Sequence, residues 1–220
     1  MKTPSDSAAA SLLIGIAGGS AGGKTTLAKE LIAAAGKRVA ILELDRFYHP
    51  LGNTENCDHA NFDEPAALDF KLLQTVLEQL CTHGTASLPI YDFATHSRIG
   101  YETVETAPII IVEGILVLWD STIRDLLDFR LYVDAPAELR FQRRMKRDMQ
   151  DRGRSAASIE QQWHETVRPM HDKYVEPSRQ HADQLIDGTA NLKSIANELL
   201  EVWLDALKAK SSDSRQRQID

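Results

Sequence analysis

The residues best suited to chemistry lie near the start of the chain, in the sequence GGSAGGKTT at positions 18–26. Their spacing is the G-x-x-x-x-G-K-[ST] pattern of a phosphate-binding loop. Glycines let backbone N–H groups approach phosphate oxygens, and the helix predicted after the loop favours anions at its N-terminus. We expect Lys24 to reach the β- and γ-phosphates of a nucleotide and Thr25 to offer its hydroxyl to Mg²⁺. The alternative is a glycine-rich turn that matches by chance. The predicted nucleotide-binding residues are Gly18, Gly19, Ser20, Ala21, Gly22, Gly23, Lys24, Thr25 and Thr26.

Two acidic residues follow predicted strands of a buried parallel sheet. Asp45 comes directly after the strand at Arg38–Leu44, and Glu113 ends the strand at Pro108–Glu113. In open α/β sheets, ligands bind at the edge where the carboxyl ends of the strands meet. We therefore expect Asp45 to hold Mg²⁺ or accept a proton, and Glu113 to support Mg²⁺. The alternatives are that Asp45 caps a turn and that Glu113 pairs with a surface lysine.

Basic residues are concentrated in one short stretch of a chain whose net charge is −7. A helix predicted to start at Pro136 carries them, and residues three and four apart share one face of a helix. An arginine that closes over a transferred phosphate is worth about 10³–10⁵ in rate in related chemistry. We expect this helix to act as a lid over a compact anion. The alternative is a solvated basic face paired with Glu138 and Asp148. The cluster consists of Arg140, Arg143, Arg144, Lys146, Arg147, Arg152 and Arg154.

A hairpin-like flap is predicted between Ser87 and Val104, where two short strands flank the sequence THSR. Tyr91 and Phe93 are two residues apart, which places them on the same face of a strand. Paired aromatic rings beside His96 suit stacking on a planar ring. The alternative is ordinary packing within a hairpin.

The composition limits the class of protein. With 43% hydrophobic and 26% charged residues, the chain suits one α/β domain. Its negative charge argues against nucleic acid as a partner, and no apolar run approaches the roughly 18 residues of a membrane span. No secretory signal is apparent, and Cys57 and Cys81 fit no redox or zinc spacing, so we expect a cytoplasmic protein. A metal site at His49, Cys57, Asp58 and His59 is disfavoured, because the spacing matches no familiar site.

The order of these elements predicts an α/β fold, namely a P-loop NTPase-type doubly wound parallel sheet with flanking helices, a small β-hairpin flap and a helical lid. One domain is predicted at 12–207, with the flap at about 85–106 and the lid at about 138–154. Residues 1–11 and 208–220 are predicted to be disordered.

Two further predictions concern the segment before the flap and the segment after the lid. A helix is predicted at Ala66–Thr82, which leaves Asp63 as either a substrate residue or a simple helix-start acid. Pro169 and Pro177 are predicted to bound an irregular extension.

These motifs resemble one known family, the uridine (uridine–cytidine) kinases within the phosphoribulokinase-like P-loop kinases. The resemblance covers about residues 12–188. The phosphate-binding loop alone fits many families, whereas YDF followed by THSR in a flap is more specific and indicates the nucleoside branch. The matching segments are GGSAGGKTT at Gly18–Thr26, LDRFYHP at Leu44–Pro50, NFDEPAALDFKLL at Asn61–Leu73, PIYDFATHSR at Pro89–Arg98, IIIVEGIL at Ile109–Leu116 and RRMKRDMQDRGR at Arg143–Arg154.

The resemblance implies an enzyme that phosphorylates uridine and cytidine with ATP or GTP, commonly as a tetramer with feedback by CTP or UTP. The implied partners are a nucleoside and a nucleoside triphosphate, with Mg²⁺ as cofactor. By the same resemblance, Asp45 is the catalytic acid beside the sugar 5′-hydroxyl, and Asp63 holds the ribose 2′- and 3′-hydroxyls.

The resemblance also implies a pyrimidine pocket, lid arginines for phosphates and substrate, and a magnesium site. The pocket residues are Tyr91, Phe93 and His96; the arginines are Arg144, Arg147 and Arg154; Gln162 lies near the sugar; and the magnesium residues are Thr25, Glu113 and, from its position, Asp45. The residues predicted to be catalytic are Lys24, Asp45, Arg144 and Arg147.

The sequence departs from the family pattern in three places. Gly22 stands where the family usually has serine, Trp163 replaces a tyrosine, and the loop at Leu51–Ala60 diverges, which puts the substrate range in doubt. Two other hypotheses stay open. One is a kinase of this architecture that acts on another hydroxyl, such as a phosphosugar or pantothenate. The other is a nucleotide-dependent switch, although the sequence lacks the guanine-binding and switch motifs of a GTPase.

Overall fold

A central sheet of five parallel strands organises the computed structural model, which describes residues 11–51 and 60–216. The strand order is β2-β5-β1-β6-β7. β1 and β5 are fully buried, which matches their continuous apolar sequences. The α/β fold with a parallel sheet is therefore confirmed. The strands are β1 Leu12–Ala17, β2 Val39–Glu43, β5 Ile109–Glu113, β6 Phe129–Asp134 and β7 Gln184–Asp187.

Helices cover both faces of this sheet, as a doubly wound fold requires. On one face, Leu27 of α1 (Lys24–Ala35) and Trp203 of α8 (Leu192–Gln216) pack in a core cluster with β1. On the other face, a second cluster joins α2 (Phe70–His83) and α3 (Ser121–Leu126) to the sheet. Within the described part of the chain, no helix is both long enough and apolar enough to cross a membrane.

A separate antiparallel hairpin, β3 (Thr85–Asp92) and β4 (Ser97–Glu105), occupies the range predicted for the flap. Two arginines fasten it to the segment that follows β2. Arg98 Nε donates to Tyr48 O at 3.1 Å and its Nη2 donates to Asp69 Oδ2 at 3.1 Å. Arg46 Nε donates to Pro89 O at 3.0 Å. The flap is therefore tied to the same segment that carries Asp45.

The predicted lid helix is present as α4 (Ala137–Arg152), which ends at Gly153 with φ 63°. It is followed by α5 (Ala156–Gln162) and then by a continuous run of short helices, two of them π-helical. The prediction of an irregular extension between the two prolines is therefore wrong. The later members of the run are Trp163–Val167 (π), α6 Arg168–Met170, His171–Val175 (π), α7 Glu176–Ser178 and the 3₁₀ turn Arg179–His181.

The prolines explain why the helix widens instead of ending. Pro169 and Pro177 are each the second residue of a short α segment, and a π-helical turn precedes each segment. A proline has no N–H to donate and clashes with the carbonyl four residues earlier in an α-helix. A π turn moves that carbonyl, so the chain stays helical past both prolines.

Both ends of the described chain extend into ranges that were predicted to be disordered. α8 runs to Gln216, so the predicted disordered tail is wrong for residues 208–216; residues 217–220 lie outside the described part. Lys210 is the reason, because its Nζ lies 2.7 Å from Asp128 Oδ2 at the sheet. At the other end, Ser11 is buried and its O accepts a hydrogen bond from Lys210 at 3.0 Å, while residues 1–10 lie outside the described part.

Candidate active site

The loop after β1 has the backbone geometry of a tight phosphate cradle. Gly18 has φ 136°, and an added Cβ there would lie 2.2 Å from Val133 O. Gly23, at the start of α1, has φ 117°. Both conformations strongly favour glycine, so the glycines of the pattern are required where they stand.

Lys24 and Thr25 lie at the first turn of α1, beside the end of β5. The buried Lys24 donates through Nζ to Gly19 O at 3.1 Å. Thr25 Oγ1 donates to Glu113 Oε1 at 2.9 Å. Burial lowers the pKa of Lys24, against the opposing effect of Glu113, and burial raises the pKa of Glu113, against the effect of Lys24. Glu113 thus faces the loop and has Thr25 as its hydrogen-bond partner. The alternative, in which Glu113 pairs with a surface lysine, does not describe this arrangement.

Asp45 lies in a 3₁₀ turn, Leu44–Phe47, directly after β2. Its Oδ1 lies 3.4 Å from the hydroxyl of Tyr48, which also donates to Phe62 O at 3.1 Å. Burial raises the pKa of Tyr48 well above 10.0, so this phenol stays protonated and remains a donor. No side chain accepts a hydrogen bond from the backbone at the start of this turn. The alternative in which Asp45 caps the turn therefore does not describe its contacts. Tyr48 belongs to the sequence DRFY, but sequence reasoning gave it no role.

The predicted magnesium residues supply oxygen ligands of the kind that a hard cation prefers, a hydroxyl and carboxylates. The hydrogen bond between Thr25 and Glu113 shows that two of them can lie within one coordination sphere. In the described ranges, no group of three histidine, cysteine or acidic side chains could hold an ion unaided. Mg²⁺ usually keeps several waters and binds to one or two carboxylates plus substrate phosphates. The disfavoured cluster around Cys57 lies largely in residues 52–59, outside the described part.

Asp63 is buried and does not start a helix. Asp69 does so instead, because its Oδ1 accepts from Leu72 N at 3.0 Å at the N-terminus of α2. Burial raises the pKa of Asp63, and the nearby positive charge of Arg144 opposes that rise. The helix-start alternative for Asp63 is therefore wrong, and its carboxylate lies within the electrostatic influence of Arg144.

The arginines of α4 are only in part the solvated basic face of the alternative interpretation, although Arg144 and Arg152 do pair with Asp148 as that alternative expected. Arg140 and Arg144 are buried, with exposures of 5% and 6%. Arg144 Nη1 donates to Ser20 Oγ in the phosphate loop at 2.8 Å, and its Nη2 donates to Gln162 Oε1 at 2.8 Å. Arg154 Nη1 donates to the same oxygen at 2.6 Å. The lid thus contacts both the phosphate loop and the predicted sugar residue.

The flap aromatics divide into a packed pair and an exposed ring. Tyr91 is buried, with its ring centroid 5.6 Å from Tyr48, so the alternative of hairpin packing describes Tyr91. Phe93 follows the end of β3 and is 55% exposed. Because it lies in the turn, the predicted strand alternation does not apply to it. Its ring centroid is still 5.2 Å from that of Tyr91.

His96 has two features of a binding residue. Its φ is 49°, a strained value for a residue other than glycine, and strain of this kind is concentrated at functional sites. Its Nδ1 is buried and has no hydrogen-bond partner among the described residues. Phe62, which sequence reasoning also missed, stacks on the His96 ring at 4.8 Å. A ring with one face covered and one nitrogen unsatisfied suits recognition of a base edge.

One open cavity of about 850 Å³ brings much of this chemistry together. It is lined by the phosphate loop, by Asp45 and Glu113, by Phe93 of the flap and by Arg147 of the lid. Six predicted substrate residues lie outside this lining: Asp63, Tyr91, His96, Arg144, Arg154 and Gln162. Arg144 adjoins it through Ser20. Sequence reasoning missed part of the lining, namely Lys29, Gly188 and residues 190–193. For Gly188 and residues 190–193, the signal was their position just after β7, at the same edge of the sheet.

Known proteins resemble this chain in sequence and in fold. The family model described as Phosphoribulokinase / Uridine kinase family matches residues 13–193. The chain belongs to the phosphoribulokinase / uridine kinase family. Curated relatives include a uridine kinase of Chloroflexus aggregans, 43% identical over 80% of this chain and 87% of that protein, and one of Halobacterium salinarum, 39% identical over 89% and 88%. A solved structure named as a possible uridine kinase from Bacillus stearothermophilus covers 85% of this chain and 91% of its own, with 24% identity and a TM-score of 0.57.

Two departures from the phosphoribulokinase / uridine kinase pattern can be located. A Cβ added at Gly22 would lie 2.9 Å from Gly19 O, so a serine there would require the loop to shift. Trp163 is buried, with its ring 5.3 Å from Phe141 and 5.5 Å from the Arg140 guanidinium, so it supports the base of the lid helix. The third departure, the loop at 51–60, lies mostly outside the described residues.

Proposed function

We propose that this protein is a nucleoside kinase that transfers the γ-phosphate of ATP or GTP to the 5′-hydroxyl of uridine or cytidine. One observation carries the proposal, which is that Phe93 of the flap lines the same cavity as Lys24, Asp45 and Glu113. A planar base against the flap would therefore direct its sugar toward the carboxylate and the phosphate loop. The two relatives above that are named uridine kinases support this choice of acceptor.

The donor triphosphate is proposed to lie on the phosphate loop. Backbone N–H groups of residues 18–26 surround its phosphates, and Lys24 exchanges its contact with Gly19 O for the β- and γ-phosphates. Thr25 and Glu113, with Asp45 nearby, would hold Mg²⁺, which neutralises charge on the phosphates when bound. Arg147, which lines the cavity, provides further positive charge next to the γ-phosphate.

The acceptor is proposed to lie between the flap and the lid. Asp63 would bind the ribose 2′- and 3′-hydroxyls, opposite Arg144 and near Gln162. Phe93 and His96 would contact the pyrimidine, with the unsatisfied Nδ1 of His96 reading its edge. Tyr91 would complete the pocket by packing against the ring of Phe93. Arg154 would act on the substrate through Gln162, whose Oε1 it contacts.

The transfer itself needs positioning and one proton acceptor. The 5′-oxygen attacks the γ-phosphorus, and the bond from that phosphorus to the β–γ bridging oxygen breaks. ADP or GDP leaves with the bonding electron pair, and the hydroxyl proton passes to the carboxylate of Asp45. The hydroxyl of Tyr48, 3.4 Å from Asp45 Oδ1, orients this carboxylate. Lys24 and the arginines stabilise the charge on the moving group.

A nucleoside panel with ATP and GTP as donors, read by the mass of the products, tests the proposal. We expect UMP and CMP from uridine and cytidine, and little product from deoxyuridine. Product from pantothenate or a phosphosugar alone would indicate another hydroxyl acceptor. Nucleotide hydrolysis that ignores every acceptor would indicate a nucleotide-dependent switch. The proposal also includes a cytoplasmic location and a homo-oligomer. Size-exclusion chromatography with light scattering would test the oligomeric state.

A further inference from the structure

A fully buried carboxylate lies beneath the lid arginines. Asp148, on α4, has no exposed surface. Four arginines surround it, at distances of 2.8 Å (Arg147), 3.5 Å (Arg144), 3.6 Å (Arg152) and 3.7 Å (Arg154). A buried carboxylate is costly unless it is paired, and removing its partners or the carboxylate itself leaves uncompensated charge. The four arginines therefore hold the carboxylate of Asp148 in place, and Asp148 in turn holds the arginines in place.

The two oxygens of Asp148 hold two different pairs of arginines. Oδ1 contacts Arg147 and Arg152, and both of these arginines line the cavity beside the phosphate loop. Oδ2 lies within ion-pair distance of Arg144 and Arg154 but has no hydrogen-bond partner among the described residues. Both of these arginines donate to Gln162 Oε1. One pair thus faces the proposed donor, and the other faces the residue proposed to lie near the acceptor sugar.

The charges in this cluster explain why a carboxylate is needed there. Four like charges in so small a volume repel each other, and long arginine side chains lose considerable rotamer freedom when they are fixed. A single carboxylate fixes their directions but leaves an excess of positive charge. That excess positive charge is available to a polyphosphate. The cluster therefore attracts the donor with its arginines already oriented.

We propose that Asp148 is a positioning residue that orients the lid arginines of both subsites, one pair on each oxygen. This inference rests on the proposed phosphoryl transfer to a nucleoside. Asp148 acts through the arginines, so its loss would disturb orientation more than attraction. The lid without this carboxylate is more positive, which strengthens the pull on a triphosphate, whereas misplaced arginines slow the transfer.

The test compares Asp148→Asn with a matched control on the same helix, Asp151→Asn, which changes an exposed acid. For Asp148→Asn we expect kcat with uridine to fall about 10- to 100-fold, since small misplacements of catalytic groups have effects of that size. The Kd of ATP, measured by calorimetry with Mg²⁺, should stay equal or become smaller. Asp151→Asn should keep kcat within about twofold, as expected of a surface change.

Asp148→Glu provides the second variant, because it keeps the charge and moves it by one methylene. We expect it to retain the wild-type circular dichroism spectrum and more activity than Asp148→Asn. If Asp148→Asn melts like the wild type and keeps its kcat, Asp148 does not position the arginines. A parallel loss of kcat and ATP affinity would likewise overturn the inference. A wild type that phosphorylates no nucleoside would contradict the proposed function instead, so the two failures can be told apart.

Discussion

At the scale of single residues, the candidate site depends on a few carboxylates whose surroundings differ. Asp45 lies beside a phenol that stays protonated, whereas Asp63 is buried opposite a buried arginine. The first arrangement leaves a carboxylate ready to orient and deprotonate a hydroxyl. The buried carboxylate of Asp63 has little contact with water. Hydroxyl groups of a substrate could therefore take the place of water as its hydrogen-bond donors.

Asp45→Asn should reduce kcat with uridine by about 10²–10⁴, because the amide cannot accept the proton of the 5′-hydroxyl. ATP affinity should change little, since Lys24 and the loop backbone provide the donor contacts. Steady-state kinetics and calorimetry with ATP check both expectations. Asp205→Asn, which changes an exposed acid on α8, serves as the control. Turnover near the wild-type value in Asp45→Asn would contradict the proposed role.

Asp63→Asn should raise the KM for uridine and also raise the melting temperature near pH 7. The folded state raises the pKa of this carboxyl above the ordinary 3.8, chiefly through burial, so folding favours its neutral form. The cost of ionising it in the folded state is absent below pH 3.8 and fully present above the raised pKa. The stability gain of the neutral asparagine should therefore shrink as the pH falls toward 4. Melting curves between pH 4 and 8 measure it; a variant that is less stable at every pH would contradict this account.

At the scale of elements, the flap is a clamped structure and not a free hairpin. Arg98 donates to the carbonyls of Phe47 and Tyr48 and pairs with Asp69, so it links the flap, the turn that carries Asp45 and the start of α2. His96, which is proposed to recognise the base, and Asp45, which is proposed to be the catalytic carboxylate, therefore share one support.

Arg98→Ala should raise the KM for uridine about tenfold or more, because hydrogen bonds to a charged group contribute roughly 1.5–3 kcal/mol each. The KM for ATP should stay near the wild-type value, since the phosphate loop does not contact this clamp. Initial-rate kinetics with each substrate varied in turn measure both constants. Arg38→Ala, which changes an exposed arginine whose Nε contacts Ala35 O, is the control. An equal rise in both KM values would show that the clamp has no special connection to the acceptor side.

Local sequence patterns were sufficient to predict some elements and not others, for physical reasons. The phosphate loop, Asp45 and Glu113 were predictable because they follow apolar strands, and parallel strands end at one edge. The continuous helices after Trp163 were not, because proline usually ends a helix and the π turns compensate through backbone geometry that no residue type announces. Phe62 and Tyr48 were missed because their roles come from contacts across the flap.

At the scale of the whole molecule, the two edges of the sheet have different tasks. The carboxyl edge carries the phosphate loop, the acids and the lid, which are the parts proposed to bind the substrates. The opposite edge joins the two ends of the described chain. There Lys210 of α8 lies 2.7 Å from Asp128, and Asp128 Oδ2 accepts from Leu13 N at 2.9 Å at the start of β1. Stability at this edge can be changed without disturbing the site.

Lys210→Ala should therefore lower the melting temperature by about 1–4 °C and leave the kcat and KM for uridine unchanged. The pair is partly exposed, 41% for Lys210 and 28% for Asp128, so its contribution is limited to roughly 1 kcal/mol or less and should shrink in high salt. Lys208→Ala is the matched control, because Lys208 pairs only locally with Asp205 and both are about three-quarters exposed. Melting curves in low and high salt compare the two variants. An equal shift in both, or a changed KM for uridine in Lys210→Ala, would mean that this edge and the site are not independent.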